Sequence, residues 1–282
     1  MSTAGGAGPA KKWRNAAAPS SYCPDMVVVS LRTRRALLVL AALPIALLAS
    51  RAGWADRYSD AVVHEGRPAV DVQRDQIDHP AEVLRLSGIR PPMVVADFLA
   101  ADGYYSELLS YLVGPKARVY LLNNEAYEKW SEKQWQGRIE RLPNVVHQTI
   151  TVEHLGLPDR SLDAIILVKV YHDLFWHPDQ GPWPKDIDPD AVLTETARVV
   201  KPGGILLLVD HSAKPGTGSA DAGTLHRIDE QYARRDFEKH GFELVRTSDV
   251  LRRPDDPRDL ITYKGEMVGK TDRFVMVFRR KG

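Results

Sequence analysis

The sequence predicts an α/β protein: a mostly parallel sheet with an antiparallel last strand and helices on both faces. Three observations predict it. From residue 93 onward short apolar runs alternate with amphipathic stretches. One run, Leu162 to Val168, is almost wholly apolar, as a strand covered on both faces must be. The last two runs have no helical stretch between them, which suits an antiparallel pair.

The elements follow in order. Pro91-Pro92 punctuates before a strand at Met93 to Ala96, and a helix at Tyr104 to Val113 carries Leu108, Leu109 and Leu112 on one side. Arg118 to Leu122 is the second strand, Glu125 to Gln136 a helix, and Val145 to Thr149 the third strand. Leu162 to Val168 is the fourth. The helix at Asp190 to Val200 is expected to stop at Lys201-Pro202-Gly203-Gly204, before a fifth strand at Ile205 to Val209. Glu230 to His240 is a helix closed by Gly241, with Asp229 placed to cap its start. Phe242 to Arg246 and Arg273 to Phe278 complete seven strands. Ahead of them residues 56–92 form a polar extension with a short helix around Pro80 to Leu86.

The N-terminal region has a different character. Arg34 and Arg35 precede an apolar run from Ala36 to Ala49 that ends in small residues, with Gly53 and Ala55 at the positions a signal peptidase reads. Pro44 interrupts that run, and it is short of the ~20 residues a spanning helix needs. The expectation is an upstream or disordered extension at 1–25, a cleaved twin-arginine export signal at 26–55, and the α/β domain at 93–282. Contact with a membrane is expected only through an uncleaved leader. The single cysteine, Cys23, lies before the apolar run, so the mature chain has neither a disulfide nor a thiol nucleophile. Lys and Arg total 38 against 37 Asp and Glu, a net charge of +1, which offers no field for nucleic acid.

The strings VVADFLAADGYYSELL, LGLPDRSLDAIILVKVYHD and LTETARVVKPGGILLLVDHSAKPG resemble class I S-adenosylmethionine-dependent methyltransferases. YHDLFW, LHRIDE and KTDRFVMVFRR are most similar to an exported group of predicted methyltransferases. The resemblance implies a Rossmann-like seven-stranded sheet, S-adenosylmethionine as cofactor, and methyl transfer to a small-molecule acceptor. It also implies cofactor contacts. An acidic residue ending the first strand matches Asp97, and glycines two, four and six residues on would fall at Leu99, Ala101 and Gly103, of which one is glycine. The acidic ribose contact after strand two is replaced by Asn123 and Asn124, and the adenine contact after strand three by Thr151, with Glu153 nearby.

Strands four and five should end side by side and bring His172 and Asp173 to His211. Either histidine is a candidate base toward an acceptor, with Asp173 or Asp210 to orient it. His172, Asp173, His211 and His226 also have the chemistry of metal ligands, but no dense spacing supports a site and no metal is assigned. Trp176 and Trp183 lie in a Pro-rich segment suited to one wall of an acceptor pocket. Asp272 and Arg273 are expected to form a buried structural ion pair. The alternative function is an exported, non-catalytic binding protein that kept a degenerate form of this fold.

Overall fold

A computed structural model describes residues 57–184 and 186–282. The extension at 1–25 and the export signal at 26–55 lie outside the described residues. The sheet has seven strands: β1 (Val95–Phe98), β2 (Val119–Asn123), β3 (Val145–Thr149), β4 (Leu162–Val168), β5 (Val200–His211), β6 (Phe242–Ser248) and β7 (Arg273–Arg280). Their order is β3-β2-β1-β4-β5-β7-β6. The first five strands pair parallel, and β7 enters antiparallel between β5 and β6. The order of winding across the sheet reverses between β3 and β4, so the C-terminal ends of β1 and β4 flank a switch point where such sheets bind ligands.

Alternation along each strand builds two cores. Phe98, Ile165, Leu167, Leu206 and Leu208 face one layer, which takes in α4 (Glu125–Trp130), α6 (Pro189–Val199) and α8 (Glu230–Lys239). Val95, Ala164, Ile166, Leu207 and Val209 face the other, with α2 (Pro80–Ser87), α3 (Tyr104–Val113) and α5 (Trp135–Ile139). Asp229 caps α8 by accepting from the backbone N–H groups of Gln231 and Tyr232.

Three local expectations need correction. The helix foreseen over Glu125 to Gln136 is two pieces, because Glu132 and Lys133 take positive φ of 50° and 55°. The break lets Trp135 stack on His147 at 3.5 Å and donate to Glu128 at 2.7 Å. Lys201 to Gly204 does not separate a helix from a later strand; β5 begins at Val200 and these residues bulge from it, the register passing from Leu162↔Val200 to Ala164↔Ile205. Asp272 and Arg273 do not pair with each other. Arg273 binds Asp78, and Asp272 meets Arg252 at 3.3 Å and Arg258 at 2.9 Å.

The element that hydrophobic patterning did not reveal is α1 (Ala69–Asp78), which lies in the polar extension. It buries Asp71, Asp75 and Asp78 while Val70 is 68% and Val72 48% exposed. The buried carboxylates are each paired: Asp75 with Arg67 at 2.6 Å, Asp71 with Arg138 at 2.5 Å, and Asp78 with Arg74, Lys169 and Arg273. The pairs fix α1 to α5, to the end of β4 and to the start of β7.

Candidate functional site

The loop after β1 keeps a glycine-like backbone without the glycines. Leu99 and Ala101 hold φ of 53° and 54°, and Gly103 83°. A left-handed L-residue costs about 1–2 kcal/mol, so the conformation needs support. Asn123, at the end of β2, supplies it. Its Oδ1 accepts from the Ala101 N–H and its Nδ2 donates to the Ala101 carbonyl, both at 2.9 Å. The amide of Asn123, expected at the ribose, and the backbone of Ala101, expected at the cofactor, are thus bonded to each other. Gly103 is retained for space as well as φ: a Cβ there would lie 2.7 Å from Leu121 Cδ1.

Beneath the loop is a cavity of about 180 Å³ whose lining includes Asp97, Arg74, Tyr104, Tyr105 and Lys169. Burial pushes the Asp97 carboxyl up to about 7, against the opposing hydrogen bond that the Ser106 hydroxyl donates at 2.7 Å. Burial, with Arg74 beside it, pulls Lys169 down to about 8 despite Asp78. The sequence reading missed Lys169, Arg74, Arg138 and Tyr127. A lysine directly after the apolar β4 was the one available signal.

On the far side of β2 a cleft of about 500 Å³ is lined by Asn124, Glu125, Thr149, Thr151, Glu153 and Pro182, among others. It contains the residues expected at the adenosine end of a cofactor. Asn124 Oδ1 caps α4 by accepting from the Tyr127 N–H at 3.0 Å, while its buried Nδ2 has no partner. A buried donor left over at a cleft wall fits a ligand that brings an acceptor.

A cleft of about 670 Å³ opens beside the same loop and is lined by Ala101, Tyr127, Trp130, Lys169, Trp176 and Tyr263 together with His172, Asp173, His211 and His226. The expected histidines and carboxylates therefore converge. His172, in the short turn His172–Phe175 after β4, donates from Nδ1 to Asp210 Oδ1 at 2.7 Å and from its backbone N–H to Oδ2 at 3.0 Å. Its Nε2 lies 3.2 Å from His226 Nδ1 and 3.3 Å from Asp173 Oδ1. Burial disfavours the charge on His172, but Asp210 and then Asp173 outweigh it and hold the pKa at about 9. His211 goes the opposite way. Its burial and the charges of His172 and Lys169 hold it well below the ordinary histidine range, with Nδ1 2.8 Å from Thr271 Oγ1. Two histidines treated alike in sequence thus differ: His211 is the neutral one at pH 7 and His172 is charged.

Trp176 lines the cleft and sits 5.1 Å from the His226 ring, whereas Trp183 is 2% exposed and backs the wall by stacking on Trp130 at 5.9 Å. Tyr263 closes on His226 at 4.7 Å. The wall suits a flat or apolar small molecule.

Residues 97–208 match the methyltransferase domain family. The chain is 30% identical over 130 residues to the ubiquinone/menaquinone biosynthesis C-methyltransferase UbiE of Shewanella oneidensis, covering 46% of this chain and 47% of that protein. It therefore spans about half the length of the curated relatives it matches. Among solved structures it is similar to a SAM dependent methyltransferase from Aquifex aeolicus, with a TM-score of 0.54 and 22% identity over 74% of this chain and 93% of that one. A putative sarcosine dimethylglycine methyltransferase from Galdieria sulphuraria gives 0.53 and 18% over 80% and 98%. The cyclase SpnF gives 0.52 and 15% over 78% and 85%, so likeness of fold carries no particular reaction. The strand order agrees with these structures, so the fold is the Rossmann-like methyltransferase sheet, and within it residues 97–208 are similar to the methyltransferase domain.

Proposed function

We propose that the protein transfers a methyl group from S-adenosylmethionine to a small acceptor seated in the 670 Å³ cleft. The observation that carries this reading is the left-handed backbone at Leu99, Ala101 and Gly103 over a buried Asp97, at the switch point of a sheet in methyltransferase order. The bound cofactor supplies an electrophilic methyl group. The protein's own residues bind and orient. Asp97 would face the amino group of the methionine end and Arg74 with Lys169 its carboxylate; Asn124, Thr151 and Glu153 would line the adenosine end. His211, neutral at the cleft edge, would take a proton from an acceptor hydroxyl, amine or thiol, and the Trp176 and Tyr263 wall would exclude water.

Calorimetric titration with S-adenosylmethionine tests it. A cation beside Asp97 lowers its pKa from about 7, so binding below that pH releases a proton, and affinity rises with pH until about 7 and then levels. Heats measured at pH 6 in buffers of different ionisation enthalpy should reveal that proton, and Asp97→Asn should abolish its release. Absence of heat with both S-adenosylmethionine and S-adenosylhomocysteine at sub-millimolar concentration favours the non-catalytic binding protein instead. Export through residues 26–55 belongs to the same proposal and rests on the sequence. An export-dependent reporter fused to residues 26–60 should be active; a silent fusion overturns it.

A further inference from the structure

We propose that His172 Nε2, His226 Nδ1 and Asp173 Oδ1 form a three-ligand site for a divalent transition metal, tetrahedral in type, with its fourth position open to the large cleft. The inference begins with spacing. His172 Nε2 and His226 Nδ1 are 3.2 Å apart, and Asp173 Oδ1 is 3.3 Å from each. A tetrahedral zinc ion with bonds of about 2.0–2.1 Å holds its ligand atoms about 3.3 Å from one another, whereas octahedral bonds of that length bring neighbouring ligands to about 2.9 Å. The triangle is therefore the right size for tetrahedral zinc and large for an octahedral ion. Both nitrogens are imidazole and the oxygen is a carboxylate, the donor set of an open catalytic zinc centre rather than of a closed structural one.

The second layer points the same way. The nitrogen of His172 that would not bind metal donates to Asp210, a fully buried carboxylate, which orients the ring so that Nε2 faces the triangle, where an arriving metal displaces its proton. The Asp173 oxygen that would not bind metal accepts from the Tyr127 hydroxyl at 2.7 Å. His226 is held at φ 52°, a conformation that costs a non-glycine residue energy, at the end of α7 (Ala222–Leu225), and its ring stands between Trp176 and Tyr263. All three residues line the 670 Å³ cleft, so an acceptor oxygen or sulfur could occupy the fourth position and ionise more readily there. The metal's use in methyl transfer rests on the proposed function; the site itself does not. With a metal bound, His172 and His226 are ligands and His211 is the imidazole left to carry protons.

The test uses the full chain stripped with a chelator and titrated with zinc chloride against a chromophoric competitor, then with cobalt chloride. One equivalent should bind tightly, and the cobalt form should show the intense visible absorption of tetrahedral coordination. His226→Gln, at the partly exposed ligand, should weaken zinc binding by at least 10²-fold while the circular dichroism and melting temperature stay near those of the parent. Asp210→Asn should weaken it by about 10–100-fold through the loosened His172 ring. Asp190→Asn, in the other His and carboxylate cluster with Asp236 and His240, should leave it unchanged. Substoichiometric binding, or affinity indifferent to His226→Gln, overturns the site and shows the triangle to be a hydrogen-bonded cluster. Zinc binding intact without any response to S-adenosylmethionine overturns the methyl-transfer reading and leaves the site standing.

Discussion

Asp78→Ala is expected to cost about 3–5 kcal/mol of folding stability, read as a lower urea midpoint with an unchanged slope at pH 7. Asp78 gathers Arg74 at 2.7 Å, Lys169 at 3.0 Å and Arg273, and it is 3% exposed. Removing it leaves cations enclosed without a counter-charge, which is the expensive way to break a buried pair. Burial opposes its ionised form, yet Lys169, Arg74 and Arg273 hold the carboxyl far below the usual carboxylate range. Because the folded-state pKa is depressed, the stabilisation is present above about pH 4 and fades as the pH falls further. The gap between parent and variant should therefore narrow in acid. A difference under 1 kcal/mol at pH 7 would show that the three cations find other partners.

Arg138→Met should lose a similar amount, about 3–5 kcal/mol, for the mirror-image reason. Its guanidinium binds Asp71 of α1, the fully buried Glu107 of α3, and both the carboxylate and the backbone carbonyl of Asp102, the last at 2.8 Å. Two enclosed carboxylates would be stranded, though Arg141, 2.5 Å from Glu107, limits the damage there. Since the Asp102 carbonyl belongs to the loop after β1, S-adenosylmethionine affinity should fall as well. Arg138→Lys should rescue neither fully, because one ammonium with three donors cannot serve the four acceptors that the guanidinium fork reaches. Urea melts and calorimetry of the two variants check this. An Arg138→Met protein as stable as the parent, binding cofactor equally, would refute the keystone role.

What the sequence disclosed and what it hid follow from the range of the interactions. The helix at Tyr104–Val113 and the strand at Leu162–Val168 fall where periodicity puts them, because each buries a local apolar pattern. The edge that gathers His172, Asp173 and His211 was legible from topology, since strands four and five of such a sheet must end together. Helix α1 was not, because its buried face is built of aspartates whose partners lie up to 195 residues away. Nor could spacing show that Asn123 turns back onto Ala101, or that His226 comes to His172 across 54 residues. The opposite protonation of His172 and His211 depends on which of them meets Asp210 side chain to side chain, a fact of three dimensions.

The inverted polarity of α1 bears on what holds the wall of the Asp97 chamber. A helix seated on leucines is held in proportion to the apolar area it covers. Here the buried face is carboxylate and its seat is guanidinium and ammonium, and Arg74 of the same helix lines the chamber. That wall is fastened by paired charge where most helices are fastened by grease.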